Sequence, residues 1–258
     1  MSRKLTILFA PVEGVGHVNA CIGLAEALQS RGHDIVFVVD QTFKGKLSPF
    51  GFTEELFESG ETDQMPGEKF ARYMLGSGLL SDASPLQKMK IMQNMSSLGK
   101  MIATKRSNEP KLKAVIDKYR PDLYVLDDIM GSPTLIHSSK PWVAVCSMQP
   151  LYVFWDERTP PPGSGFPSKG DRSEWKEFRK ESSKSLLNAK NDYNEWMREE
   201  GFPTIEIKNA VPLKSPFLNI YGYPEELDYT DIRPIPEKWL RVDTFMRRGE
   251  KQEFKIPD

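Results

Sequence analysis

The sequence predicts an α/β fold, an open parallel sheet flanked by helices, on three observations. Short runs rich in β-branched and aromatic residues recur along the first two-thirds of the chain: "LTILFA", "DIVFVV", "LYVLDD" and "WVAVCSM". Helix-compatible segments lie between them, as crossovers between parallel strands require. A glycine turn, "EGVGHVN", joins the first run to the first of those segments, as strand-to-helix turns do in such sheets.

The elements follow in order. "LTILFA" reads as a buried strand, and Gly14 and Gly16 allow the tight turn after it. Ile22, Leu24, Ala25 and Leu28 make one apolar helical stripe, and Gly32 stops that helix at about its C-cap. "DIVFVV" completes a right-handed βαβ unit. Leu86, Met89, Met92, Met95 and Leu98 then recur at three-residue spacing and predict one helix. Its stripe reads as core, although methionine also suits the wall of a pocket for varied apolar ligands. "KLKAVIDKYR" predicts a separate helix before the strands "PDLYVLDD" (121–128) and "KPWVAVCSM" (140–148). Beyond Pro150, the prolines at 160–162 and glycines at 163 and 165 predict a long surface loop. Residues 173–200 return to charged helical sequence anchored by Trp175, Phe178, Leu186, Tyr193 and Trp196, and "FLNIYGYP" reads as one more strand. The proline-spaced tail reads as a linker, which divides the chain into a domain over 1–240 and a linker over 241–258.

Composition narrows the partners. With 35 basic and 36 acidic residues the net charge is −1, which calls for neither nucleic acid nor a membrane surface. A small molecule or a protein fits better. The N-terminal apolar run is too short for a secretion signal, and no run approaches the roughly 20 apolar residues that span a bilayer, so a cytoplasmic protein is expected. Cys21 and Cys146 lack any metal-ligand spacing and read as buried small apolar residues, with no metal site implied.

The glycine turn carries the chemistry. A GxGxxG dinucleotide turn needs a third small residue where Asn19 stands, and Asp40 is the only acidic candidate at the end of the second strand. The pattern therefore argues against a nicotinamide cofactor. His17 would project at the carboxyl ends of the strands, where open α/β sheets bind ligands, and an imidazole takes and returns a proton near neutrality. A base of this kind works with an orienting carboxylate. Asp127 and Asp128, at the end of "LYVL", are both candidates. His33 and His137 have no comparable setting and read as structural.

With "FAPVEGVGHVNACIGLAEALQSRGHDIVFV", "KYRPDLYVLDD" and "NIYGYPEELDYTDIRPIPEKWLRVDTF" taken together, the chain resembles the N-terminal, acceptor-binding domain of UDP-dependent glycosyltransferases of GT-B fold. Its flavour is similar to arthropod, especially mite, enzymes that lack a secretion signal and membrane anchor. The resemblance implies a single Rossmann-like domain with His17 as catalytic base. It places the partner aspartate on Asp127 by the "PDLYVLD" spacing, or on Asp128 if the register is counted back from Pro133. Inverting transfer of a sugar to a hydroxyl of a small lipophilic acceptor follows. Val12, Gly16, Asn19, Met89, Met148, Phe154 and Trp155 would form the acceptor site.

Members of that family carry a second domain that binds the nucleotide sugar, and its signatures are not found in this sequence. A UDP-sugar is therefore expected only with a C-terminal donor domain, and none is implied as a cofactor of this chain. Two expectations follow. The chain is the acceptor half of a transferase, inactive alone and served by a donor domain in trans, or it is a stand-alone small-molecule-binding or interaction protein. Either leaves an exposed cleft face through which copies could associate.

Overall fold

A computed structural model describes residues 3–58, 68–93, 97–205 and 213–247, without the side chains of 68–70, 73 and 97. Seven parallel strands form one sheet: β1 (Thr6–Phe9), β2 (Asp34–Asp40), β3 (Thr53–Phe57), β4 (Leu123–Leu126), β5 (Trp142–Cys146), β6 (Leu218–Gly222) and β7 (Trp239–Val242). Their order in space is β3-β2-β1-β4-β5-β6-β7. The chain steps outward from β1 to β3 and then returns to β4 on the other side. This reversal, between β1 and β4, is the kind of switch point at whose carboxyl end open α/β sheets bind ligands.

Strand alternation divides the core. Ile7, Phe9, Ile35, Phe37, Val39, Val125 and Val145 face helix α1 (Val15–Gln29), which contributes Cys21, Ile22 and Ala25. Phe9 and Phe37 are register partners and stack at 4.9 Å. The opposite residues Leu8, Val38, Tyr124, Leu126, Trp142 and Ala144 pack on Leu112 and Val115 of the long helix α4 (Ser97–Tyr119). Between α1 and α4 come α2 (Glu68–Gly76) and α3 (Pro85–Gln93), and after α4 come α5 (Pro133–Ile136), α6 (Ser173–Ser185) and α7 (Leu187–Glu199). A third cluster joins Ile102 of α4 to Ala189, Tyr193, Trp196 and Met197 of α7.

Several expectations shift. The methionine stripe lies on two helices, α3 and α4, and Met95 falls outside the described residues. The helix expected over 111–120 is the second half of α4, which runs through Pro110 and forgoes the hydrogen bond that the missing N–H would have made. Burial of Glu109 (1% exposed) beside it, where it accepts from Ser132 Oγ and Thr134 N–H, holds that turn in place. The loop after Pro150 is not wholly on the surface: Leu151, Phe154, Thr159 and Ser164 are buried. Helix α1 ends on a Ser30 cap, two residues short of Gly32, which supplies a positive φ of 91° in the following turn.

The sheet also has strands beyond the expected ones. β3 extends one edge, its glutamates 54 and 55 giving no continuous apolar run. β7 forms the other edge and crosses the boundary expected at residue 240. After β7 the tail turns back across the α1 side of the sheet. Phe245 covers Gly222, where a Cβ would lie 2.5 Å from the ring, and the Met246 carbonyl oxygen lies 2.3 Å from where a Cβ on Gly23 of α1 would sit. Residues 248–258 of the expected linker lie outside the described residues. Among the described residues no helix is long and apolar enough to cross a membrane.

Candidate functional site

β1, β4 and β5 are adjacent and parallel, so the residues that follow them emerge on one rim. Two hydrogen bonds extend the β1–β4 ladder past the strand ends, from Ala10 N–H to the Val125 carbonyl and from Val12 N–H to the Asp127 carbonyl, both 2.9 Å. They bring Asp127 level with the turn that leads into α1. His17 stands in the first turn of that helix, and its Nδ1 is 3.0 Å from Asp127 Oδ2. Asp127 is buried, with 2% of its side chain exposed, and apart from this ion-pair approach Oδ2 has no hydrogen-bond partner among the described residues.

Alternation along β4 explains which aspartate meets the histidine. Val125 faces α1 and Leu126 faces α4, so Asp127 falls on the α1 side and Asp128 on the α4 side. Lys105 of α4 pairs with Asp128 Oδ2, and Asp128 Oδ1 accepts from Met130 N–H at 3.1 Å. Neither Lys105 nor its effect on the choice was foreseen.

A third residue joins the pair. Ser147, directly after β5, places its Oγ 3.0 Å from His17 Nδ1 and donates its N–H to Asp127 Oδ1 at 3.4 Å. Composition and spacing did not mark it, although its position after an apolar strand is the same as that of Asp127 after β4.

Burial acts to lower the pKa of His17, but hydrogen bonding to the Asp127 carboxylate and the charges of Asp127 and Asp128 outweigh it and leave the pKa raised. The first turn of α1 has no acidic side chain and no side-chain cap. Gly14, extended at φ −147°, serves the imidazole: a Cβ there would lie 3.1 Å from His17 Cδ2. Around Gly16 the space is open.

The other expected site residues are dispersed. Val12 is tied to Asp127 as described, and Asn19, two residues past His17, lies about 200° further round the helix. Met148 follows Ser147 and accepts from Cys146 Sγ at 3.6 Å. Phe154 is buried, edge-on to Tyr221 at 5.1 Å and Trp239 at 4.7 Å, with the Arg233 guanidinium 4.2 Å above its ring. Trp155 is 46% exposed beneath Arg179. Met89 is buried in α3, which packs on α6.

The remaining candidates have structural settings. Asp40 is buried at the end of β2 and accepts from Thr42 N–H at 2.9 Å. His33 Nδ1 accepts from Leu5 N–H, and His137 stacks on Phe202 with its pKa lowered by burial. Both cysteines are free and buried, and burial pushes the Cys146 thiol up to about 12. Among the described residues no cluster of three His, Cys, Asp or Glu side chains could hold a metal ion.

Solved glycosyltransferases share this architecture. The kitacinnamycin glycotransferase superposes with a TM-score of 0.61 at 15% identity, over 100% of this chain and 56% of that one. The calicheamicin glycosyltransferase gives 0.54 at 18% identity, over 94% and 52%. A spinosyn rhamnosyltransferase gives 0.53 at 14%, over 93% and 50%. The chain thus has the α/β fold of part of a GT-B glycosyltransferase. It spans about half the length of each of these structures. No protein-family model matches the chain. No curated protein matches it.

Proposed function

We propose that residues 1–240 form the acceptor-binding half of a UDP-dependent glycosyltransferase and that His17 is its general base. The observation that carries this reading is the contact of His17 Nδ1 with the buried Asp127 carboxylate on the ligand-binding rim of the sheet. With Nδ1 turned inward, Nε2 is left to take the proton of an acceptor hydroxyl. The hydroxyl oxygen then attacks the anomeric carbon of the nucleotide sugar, and the carbon–oxygen bond to the diphosphate breaks. UDP leaves with the bonding electrons, and the configuration inverts. Asp127 holds the tautomer with the proton on Nδ1 and stabilises the imidazolium that forms.

The acceptor is a small lipophilic molecule with a hydroxyl group, bound near Val12, Gly16 and Met148. The free, buried thiols of Cys21 and Cys146 are compatible with a cytoplasmic protein. Positioning of both reactants supplies about 7–11 kcal/mol in such reactions. One half of the cleft holds only one of them, so residues 1–240 without a donor domain turn over negligibly.

Incubation with radiolabelled UDP-glucose and a panel of phenols tests the reading, with and without a donor domain in trans. Transfer that needs the added domain and is abolished by His17→Ala is the expected result. Transfer that survives His17→Ala would overturn the role of the base. Saturable phenol binding without transfer in either arm would favour a stand-alone binding protein.

A further inference from the structure

Asp127 reaches His17 through one oxygen, but a single contact leaves an imidazole free to swing about it. Nδ1 has a second oxygen at the same 3.0 Å distance, Ser147 Oγ. The same serine donates its backbone N–H to the other oxygen of Asp127. It is therefore the one described residue that holds both members of the pair. The hydroxyl could in principle act either way: it can accept from an Nδ1–H, or donate to a bare Nδ1 and drive the ring proton to Nε2. The carboxylate decides between them. Asp127 Oδ2 is buried with no hydrogen-bond donor placed on it, and His17 Nδ1, 3.0 Å away, is a group that can supply one; a buried carboxylate oxygen left without a proton donor is costly. Nδ1 must therefore carry the proton, and Ser147 must share it as an acceptor.

We propose that Ser147 is a positioning residue that accepts from His17 Nδ1–H alongside Asp127, locks the ring plane and leaves Nε2 bare. This rests on the reading of His17 as a base, and it adds a third member that composition and motif do not mark. The charged and titratable groups around the ring are few. Asp127 is in contact, Asp128 lies behind with Lys105 on it, and the thiols of Cys21 and Cys146 are held neutral by burial. Removal of the hydroxyl therefore leaves Asp127 as the remaining acceptor among these groups for the Nδ1 proton.

Long-range proton–nitrogen correlation spectra of the full chain, labelled at histidine nitrogen, read both tautomer and titration. In the unaltered protein neutral His17 should carry its proton on Nδ1. Ser147→Ala should lower the His17 midpoint by about half a pH unit, the size of one neutral hydrogen bond to the imidazolium, and bring the Nε2–H tautomer into view. Ser147→Gly repeats the deletion with a different backbone tolerance, and Ser147→Thr, which keeps the hydroxyl, should restore the original midpoint. An unchanged midpoint in both deletions would overturn the proposal, and so would an upward shift, which would mean that the hydroxyl donates to Nδ1. Asp127→Asn separates this inference from the reading beneath it. If it moves the midpoint while the serine deletions do not, only the role of Ser147 fails. If none of the variants moves it, the His17–Asp127 pair fails as well.

Discussion

Asp127 and Asp128 are adjacent in sequence and serve opposite faces of the sheet. Asp127 meets His17 at 3.0 Å on the α1 side, while Asp128 is held by Lys105 on the α4 side. One carboxylate is thus left to a histidine and the other is paired with a lysine. The second still contributes to the field at the first, since its charge is among those that raise His17.

Titration of His17 should therefore show a midpoint above its ordinary value near 6.5. Asp127→Asn should lower it, and by more than Asp128→Asn does, because the first removes a contact and the second only a longer-range charge. Histidine proton resonances followed from acid to alkaline pH give the three midpoints directly.

The same shift has a sign in stability. Folding raises the pKa, so protonated His17 favours the folded state, fully so below the unfolded value of about 6.5 and progressively less as pH rises through the folded value. Urea unfolding of the parent and of His17→Gln, at about pH 5.5 and about pH 8.5, should show a larger difference between the two proteins at the lower pH. An equal difference at both would contradict the raised pKa.

Gly14 and Gly16 should respond oppositely to alanine. At Gly14 the new methyl presses on His17 Cδ2 at 3.1 Å and displaces the ring, so the His17 resonance and its midpoint should move. At Gly16 the methyl meets nothing within 4 Å, and the helix should gain roughly 0.5–1 kcal/mol with the His17 midpoint unchanged. Thermal unfolding together with the His17 spectrum distinguishes them.

A buried charge group should prove fragile when broken singly. The Asp228 side chain is fully buried and accepts from Arg233 Nη2 at 2.9 Å and from the Tyr221 hydroxyl at 2.6 Å. Asp228→Leu should cost about 3–5 kcal/mol because it strands Arg233 in the interior, and Arg233→Met should cost less because Arg241 Nη1 remains 3.8 Å from Asp228 Oδ2. The paired replacement Asp228→Leu with Arg233→Met should cost less than the two single changes together. Denaturant unfolding of the three proteins measures this coupling.

Much of this was legible in the residues. Buried runs such as 35–40 and 142–146 announce parallel strands because both of their faces are covered. Edge strands announce less: β3 has two glutamates, Glu54 bonded to the backbone of residues 45, 47 and 48, and β7 sits among prolines in a segment that reads as linker. The place of His17 follows from the turn. The choice of Asp127 over Asp128 was available too, since alternation from Val125 sends Asp127 toward α1, but only once α1 is known to cover that face. Ser147 was hidden for a different reason. A serine after a strand is chemically ordinary, and only the order β1-β4-β5 makes it a neighbour of residues 20 and 130 positions away. The continuity of α4 through Pro110 was not legible because it is held by the bonds of Glu109 to the loop after β4, which are tertiary.

The tail that crosses from β7 to Gly23 works as a mechanical strap. It bears on helix α1 six residues beyond His17, about 9 Å along a rigid rod. A larger side chain at Gly23 would therefore press the tail away from the same helix whose first turn holds the imidazole. The seat of His17 and the resting place of the tail share one helix.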